Sequence, residues 1–165
     1  MFDNYIAQHG QRLYGLCRTL CRSPSDADDL YQATWLRALE RFDRYDGNRD
    51  FEPWLTAICV NLFRSNQRRI KRSPIYEGFS SSEDKQLLLE QTPEPEREDY
   101  STLHAAVDAL PEALRLTVIL FYFHDLDLSQ TAKTLGVPLG TVKSRLSRAK
   151  QKLKEVLQNA ESLQF

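Results

Sequence analysis

The amino-acid sequence predicts an all-α protein made of two small helical domains joined by a flexible acidic linker. Neither half of the chain shows the alternation of apolar and polar residues that is typical of a half-buried strand. Apolar residues instead recur at helical spacing over residues 1–72 and again over 101–165. Between them, residues 73–100 contain eight acidic residues among Pro, Gly and Ser, a composition typical of linkers.

The overall composition favours an ordinary globular protein. Of the 165 residues, 41% are hydrophobic and 27% are charged. No apolar run approaches the ~20 residues that a membrane-spanning helix needs, and the N-terminus lacks the apolar core of a signal peptide. We therefore expect a cytoplasmic protein without direct membrane insertion. The net charge of −1 averages an acidic middle with basic segments elsewhere.

Two helices are predicted at the start of the first domain. The first covers roughly residues 4–22. The second begins at Ser23, an N-cap, with Pro24 at the first helical position and Asp26 completing a capping box, and it continues to about residue 42. Its outer face carries polar residues around an exposed leucine, which indicates a protein-docking surface, although single exposed leucines are also ordinary. This face consists of Asp29, Gln32, Leu36 and Glu40.

A third helix is predicted after the turn-rich loop 44–50, with Asp50 as its N-cap and its end near residue 72. The side opposite its apolar face is polar and basic, and no acidic residue occurs between Glu52 and Glu77. This pattern indicates a DNA-contacting face, while the alternative is a positive helix end that complements the helix dipole. The face consists of Asn61, Arg64, Arg68 and Lys71.

The second domain contains a predicted helix-turn-helix. Ser129 is the predicted N-cap of a short helix, Gly136 suits a left-handed C-cap, and Pro138 is placed in the first turn of a longer helix. From residue 129 to residue 154 there are seven basic residues and no acidic one. A solvated helix usually mixes the two signs of charge, so this segment predicts DNA binding.

The longer helix divides into two faces at about 100° per residue. Its apolar stripe consists of Val142, Leu146, Ala149, Leu153 and Val156. The opposite stripe, whose side chains are able to hydrogen-bond base edges, consists of Ser144, Ser147, Arg148 and Gln151. Cations lie on both flanks, as expected for a helix between two phosphate backbones: Lys143, Arg145, Lys150 and Lys152.

The sequence predicts no enzyme, metal site or cofactor. The three histidines, His9, His104 and His124, lie in different segments, without a paired acid and base or a glycine-rich phosphate loop. Three cysteines are too few for a zinc site, which needs about four ligands. They are interpreted as small buried side chains, and a redox role stays open: Cys17, Cys21 and Cys59.

Two groups of motifs resemble a known family. The segments DADDLYQATWLRA at 26–38 and FEPWLTAICVN at 51–61 resemble sigma region 2. ALPE at 109–112, LSQTA at 128–132 and LGVPLGTVKSRL at 135–146 resemble sigma region 4. The chain is thereby identified as a member of the extracytoplasmic-function (group IV) sigma factors of bacterial RNA polymerase, within the sigma-70 family.

The resemblance implies a role for each face. The first domain, 1–72, would bind core RNA polymerase through the outer face of the second helix, and would melt the −10 promoter element. The −10 residues are Asn48, Arg49, Asn61, Arg64, Arg68 and Lys71. The second domain, 101–165, would read the −35 element as duplex DNA. The −35 residues are Thr141, Lys143, Ser144, Arg145, Ser147, Arg148 and Gln151.

The resemblance also implies partners and a competitor. The expected partners are core RNA polymerase, promoter DNA and an anti-sigma factor, which could hold the chain at the membrane if it is itself membrane-bound. The competing interpretation is a two-domain helix-turn-helix regulator that binds duplex DNA without polymerase. The second basic face, on the first domain, favours a sigma factor.

Overall fold

The computed structural model describes residues 1–72 and 101–162. Every regular element within these two ranges is helical, so the predicted all-α class is confirmed for the described part of the chain. The predicted linker at 73–100 lies outside the described residues. The predicted domain bounds stay a prediction.

The first lobe consists of α1 (Phe2–Leu20), α2 (Pro24–Glu40) and α3 (Phe51–Arg72), with a short 3-10 turn at Phe42–Arg44 after α2. Helix α1 ends two residues before the predicted position because the backbone of Cys21 is extended (φ −91°, ψ 149°). Helix α2 likewise ends before residue 42, where the chain tightens into the 3-10 turn.

The start of α2 is capped as predicted by Ser23, whose hydroxyl accepts a hydrogen bond from the backbone N–H of Asp26 at 3.1 Å. Pro24 occupies the first helical position. The reciprocal bond of a capping box is not formed in this described turn, so that part of the prediction was wrong. An aspartate side chain is one methylene shorter than the Glu or Gln that completes the motif.

The core of the first lobe lies between the apolar faces of its helices. Full burial of one large apolar side chain contributes about 1.5–3 kcal/mol, and burial of many such residues holds the three helices against each other. Helix α2 contributes buried apolar residues as well, among them Leu30 and Trp35. The buried residues of α1 and α3 include Leu13, Leu16, Cys17, Leu20, Leu55, Ile58, Cys59 and Phe63.

The second lobe contains α4 (Ser101–Asp108), α5 (Glu112–Val118), a π-helical segment (Ile119–Phe123), α6 (Leu128–Leu135) and α7 (Leu139–Ser162). The last two form the predicted helix-turn-helix. Between them Gly136 adopts φ 67°, a left-handed conformation that costs glycine little. The N–H of the next residue returns to the carbonyl of Ala132 at 3.0 Å, which closes the end of α6.

The cap of α6 differs from the prediction. Asp127, not Ser129, is the N-cap: its carboxylate accepts from the Gln130 N–H at 2.7 Å, and the Gln130 side chain accepts from the Asp127 N–H at 3.0 Å. The helix begins at Leu128, so Ser129 already lies inside it. Pro138 also lies one residue outside α7, where its carbonyl accepts from the Val142 N–H at 3.3 Å. Two hydrogen bonds favour Asp127 over a lone serine cap.

The two lobes pack against each other, a relationship that the sequence left open. Their buried apolar residues form one continuous cluster, and α3 lies against α6. Polar contacts cross the same boundary. The guanidinium of Arg115 on α5 donates to the backbone carbonyls of Thr19 and Leu20 at the end of α1, both at 2.9 Å. These carbonyls have no partner within their own helix, so the second lobe caps the first.

Candidate nucleic-acid interface

The polar face of α7 is presented to solvent. Val142, Leu146 and Ala149 are buried beneath it, at 0%, 7% and 0% exposed. The apolar stripe ends sooner than predicted: Leu153 is half-buried and Val156 is 45% exposed, because α7 extends beyond the helices that cover its other end. The exposed polar residues are Lys143, Ser144, Ser147, Arg148 and Gln151.

Two residues predicted for the same DNA face, Thr141 and Arg145, are half-buried. Arg145 lines a cleft of about 170 Å³ between the lobes, together with Arg64 and Arg68 of α3. Arg145 therefore lies on the flank of α7 that borders the first lobe. The structure therefore divides the predicted face into a solvent-facing stripe and an edge shared with the lobe boundary.

The basic face of α3 is only partly free. Asn61, Arg68 and Lys71 are exposed, and Lys71 lies 3.7 Å from the carboxylate of Glu112 on α5. Arg64 is half-buried and donates to the carbonyl of Leu135 at 3.2 Å. That carbonyl lies at the C-terminal end of α6, where a cation complements the helix dipole. The second lobe therefore engages cations that the sequence assigned to DNA.

The loop before α3 is held by local contacts. The Asn48 N–H donates to the Asp46 carboxylate at 3.1 Å, and the Tyr45 hydroxyl donates to the Arg49 carbonyl. The Tyr45 ring packs on Trp54 with centroids 5.0 Å apart, so the loop is anchored to the aromatic core. Asn48 and Arg49 are both exposed at its tip, as the predicted role requires.

The outer face of α2 is solvent-exposed along its length. Leu36 is 62% exposed and Leu39 is 55% exposed, so two neighbouring large apolar side chains face water. Arg37 forms an ion pair with Glu40 at 3.7 Å. The predicted docking residues on this face are all exposed: Asp29, Gln32, Leu36 and Glu40.

A polar cluster at the lobe boundary is the arrangement that sequence reasoning missed. Glu52 of α3 accepts from Arg12 Nε at 2.9 Å and lies 3.3 Å from His9 Nδ1. His124, which follows the π-helical segment, places Nε2 2.9 Å from the Thr56 hydroxyl and 3.6 Å from Glu52. Burial lowers the pKa of His124, which is 4% exposed. Two histidines that are distant in sequence thus meet at one carboxylate.

Cys17 and Cys59 follow the interpretation as small buried side chains, whereas Cys21 is only half-buried. Cys17 and Cys59 are fully buried, with their Sγ atoms 3.8 Å apart, and the hydrogen bond with the Cys59 thiol, together with burial, raises the pKa of Cys17 far above its usual range. Burial also raises the pKa of the half-buried Cys21 thiol to about 12. Such thiols ionise little at neutral pH and react slowly.

In residues 1–72 and 101–162, no group of three or more His, Cys, Asp or Glu side chains is arranged to hold a metal ion. None of the helices described here is long and apolar enough to cross a membrane.

Family comparisons match both lobes. Residues 5–73 match the sigma-70 region 2 family and residues 100–153 match sigma-70 region 4. EcfG of Rhodopseudomonas palustris, an ECF RNA polymerase sigma factor, is 37% identical over 131 residues, covering 79% of this chain and 71% of that protein. The sigma factor NccH of Alcaligenes xylosoxydans is 31% identical, with 97% and 88% covered. SigE of Mycolicibacterium smegmatis is 34% identical, and the match spans 94% of this chain and 61% of SigE.

The solved structures agree with these matches. The sigma factor RpoE of Bartonella quintana, in complex with the anti-sigma factor NepR, superposes with a TM-score of 0.77 at 25% identity, covering 95% of this chain and 96% of that one. CnrH, in complex with the cytosolic domain of CnrY, shares the fold with a TM-score of 0.68 at 23% identity, with 96% and 88% covered. The family matches of both lobes and the similarity to these relatives lead to one conclusion, which confirms the prediction from the motifs: the chain belongs to the extracytoplasmic-function group of RNA polymerase sigma factors.

Proposed function

We propose that this chain binds core RNA polymerase and directs promoter-specific initiation, with α7 on the −35 duplex and α3 with its preceding loop on the −10 element. The observation that carries the proposal is the presence of two separate cationic helix faces, one on each lobe, in a chain of this family. A regulator that binds only duplex DNA would need one such face. We assign no catalytic role to the chain.

On α7 the proposed reading head is the exposed polar stripe around Arg148. A bidentate contact between a side chain and a base edge discriminates by about 1–3 kcal/mol, whereas contacts to phosphates add affinity without sequence preference. The stripe combines both kinds of side chain, with serines and an arginine at its centre and lysines on its flanks. We expect Arg148 to select a base pair, and Lys152 to contact the phosphate backbone.

On the first lobe the proposed task is to hold a melted strand. Flipping a base out of the stack costs a few kcal/mol, and stacking on an aromatic ring returns about 1–3 kcal/mol. The loop that carries Asn48 and Arg49 is held against the rings of Tyr45 and Trp54, so its polar tip has a rigid support. The exposed cations of α3 lie beyond it, suited to the strand backbone.

The outer face of α2 is the proposed contact with core polymerase. Its exposed leucines would be buried on docking, which stabilises a complex in proportion to the apolar area removed from water. The surrounding carboxylates would supply the polar rim. Since this partner acts in the cytoplasm, we place the chain there too.

We further propose that an anti-sigma factor controls the chain. The likeness to RpoE in its complex with NepR supports this. Such a protein would mask the faces on α3 and α7, and a membrane-bound one would hold the chain at the membrane.

The deciding experiment is transcription with purified core polymerase on a library of promoter fragments, with and without this chain. Initiation at defined sites that depends on the chain supports the proposal. A chain carrying Leu36→Asp should bind promoter DNA no worse in isolation yet fail to direct initiation, while Val156→Asp controls for a new charge at an exposed apolar position. Tight, specific promoter binding without polymerase, and no initiation with it, would establish the duplex-binding regulator instead.

A further inference from the structure

The lobe boundary contains a buried imidazole in an unusual backbone setting. His124 follows a π-helical segment, its N–H bonding to the carbonyl of Ile119 at 2.9 Å, and the next residue, Asp125, adopts φ 56°. Single π-helical turns are rare and occur frequently at functional sites. Here the imidazole leaves its own lobe and lies against α3, where His124 is 4% exposed.

The side chain and the main-chain carbonyl of His124 both contact the first lobe. Its Nε2 lies 2.9 Å from the hydroxyl of Thr56 and 3.6 Å from the carboxylate of Glu52. Its main-chain carbonyl accepts from Arg12 Nη2 at 2.7 Å. One residue of the second lobe therefore joins both α1 and α3 of the first.

Most of the charged groups around this imidazole already have an ion-pair partner. The carboxylate of Glu52, which is partly buried, already lies 2.9 Å from Arg12 Nε and 3.3 Å from His9 Nδ1. Asp125 lies 4.0 Å from Arg12, but its side chain is 83% exposed and therefore well screened. A proton on the buried ring of His124 would add a second cation near Arg12, with one partly buried carboxylate, Glu52, to balance both.

We propose that His124 is a proton-operated latch between the two lobes. The neutral imidazole pairs through Nε2 with the Thr56 hydroxyl and holds the lobes together. A proton on the ring places a charge at this 4% exposed position, which favours exposure of the ring to water, so the boundary opens. This inference rests on the proposed function for its consequence in transcription, but the opening is a property of the free chain.

Opening matters because the packed arrangement is too small for the proposed task. Promoter elements about 25 base pairs apart are separated by about 85 Å along B-DNA, whereas a compact chain of this length has a radius of gyration of about 15 Å. The closed boundary also ties Arg64 to the carbonyl of Leu135. Separation of the lobes would release this guanidinium and let the two faces reach their elements.

The direction of the pH response follows from burial. In the closed arrangement the pKa of His124 lies below its usual value of 6.5, and exposure on opening returns it toward that value. The closed arrangement therefore binds fewer protons. The stabilisation of the closed over the open arrangement is therefore complete above pH 6.5. It is lost as the pH falls below 6.5 toward the lowered pKa of His124. Within that window the open-to-closed ratio rises by up to about tenfold per pH unit.

The test is small-angle X-ray scattering of the full chain between pH 7.5 and pH 5.5, with helix content followed by circular dichroism. The wild type should expand as the pH falls, with unchanged helix content. His124→Gln keeps a polar group near Thr56 but cannot titrate, so it should show no expansion. His104→Gln removes an exposed imidazole from the same lobe and should expand like the wild type.

Equal expansion of the wild type and the His124→Gln variant would overturn the proposal, as would a wild type that stays compact throughout. Should the Gln variant fail to fold, NMR of the wild type decides the matter: a His124 pKa below 6.5 with loss of the contacts between the lobes on protonation supports the latch, whereas a pKa at or above 6.5, or contacts that persist after protonation, overturns it. Transcription at pH 7.5 separates the two proposals. Initiation without pH-dependent opening contradicts the latch and leaves the proposed function intact. Opening without initiation contradicts the proposed function and leaves the latch intact.

Discussion

The guanidinium of Arg115 donates to the backbone carbonyl of Leu20 at 2.9 Å, across 95 residues of sequence. The same Nη2 donates to the carbonyl of Thr19 at 2.9 Å, and Nε lies 3.4 Å from the exposed carboxylate of Asp108. At 6% exposed, Arg115 is the only Arg, Lys, Asp or Glu side chain that is buried among the described residues. Its bonds satisfy the free carbonyls at the end of α1 and join the lobes at a point apart from His124.

Replacing this arginine should destabilise the packed chain. Arg115→Ala leaves two carbonyls without their donor in a site largely closed to water, and we expect the free energy of unfolding to fall by about 2–4 kcal/mol. Arg115→Lys should recover only part of it, because an ammonium lacks the planar fork of donors. Urea denaturation measures both. The exposed Arg22→Ala is the control, with an expected change within about 0.5 kcal/mol. Equal losses in all three variants would contradict this account.

The capping box at the start of α6 makes a local prediction. Asp127→Ala removes the acceptor for the Gln130 N–H and should lower the free energy of unfolding by about 1 kcal/mol. Ser129→Ala, inside the helix, should change it by less than about 0.5 kcal/mol, since alanine is the better helix former. Thermal denaturation of the two variants side by side distinguishes the caps. A larger loss of stability for Ser129→Ala than for Asp127→Ala would show that Ser129 is the cap, as the sequence predicted.

A third prediction separates base reading from phosphate binding on α7. Arg148→Ala should cost about 1–3 kcal/mol on the preferred promoter and relax the preference at one base pair of the −35 element. Lys152→Ala should weaken binding to every sequence alike and reduce the salt dependence by about one phosphate contact. The measurement is binding of the polymerase complex to promoters with single −35 substitutions at two salt concentrations. An equal loss of affinity for every promoter with Arg148→Ala would show that Arg148 contacts the phosphate backbone of the DNA.

The exposed leucine of α2 gives a prediction about polymerase affinity. Leu36→Asp should weaken binding to core polymerase at least tenfold, because a carboxylate replaces apolar area that docking removes from water. Its folding stability should hardly change, as the side chain is 62% exposed in the free chain. Fluorescence anisotropy with labelled chain measures the affinity. If Val156→Asp weakened binding equally, the docking face would not be on α2.

Thiol reactivity tests the burial of the cysteines. With its pKa near 12, Cys21 has about a thousandth of the thiolate of an ordinary cysteine at pH 8, so iodoacetamide should label it correspondingly slowly. Its rate should rise about tenfold per pH unit up to that value. Cys17 and Cys59, both fully buried, should react only on unfolding. Mass spectrometry after timed quenching reads each site, and fast labelling of Cys59 in the native chain would contradict the packing.

Features encoded over a few residues were predictable from the sequence. The left-handed position of Gly136 and the polar stripe of α7 follow from local chemistry and helical period. The cap of α6 was predictable too, since Asp127 and Gln130 have capping-box spacing, but Ser129 offered a competing local signal. The predicted burial of Val156 failed because periodicity gives the direction of a side chain and not the extent of the surface that covers it.

By itself, then, the sequence determined the all-α class, the family and the two cationic helix faces, because each is encoded by periodic or contiguous residues. Only the tertiary structure decided that the lobes pack together, that Arg115 caps α1, and that His124 meets Glu52. These contacts join polar groups 72 to 96 residues apart. A polar contact of that kind leaves no periodic trace in either segment, since its strength depends on burial and geometry that only the folded chain supplies.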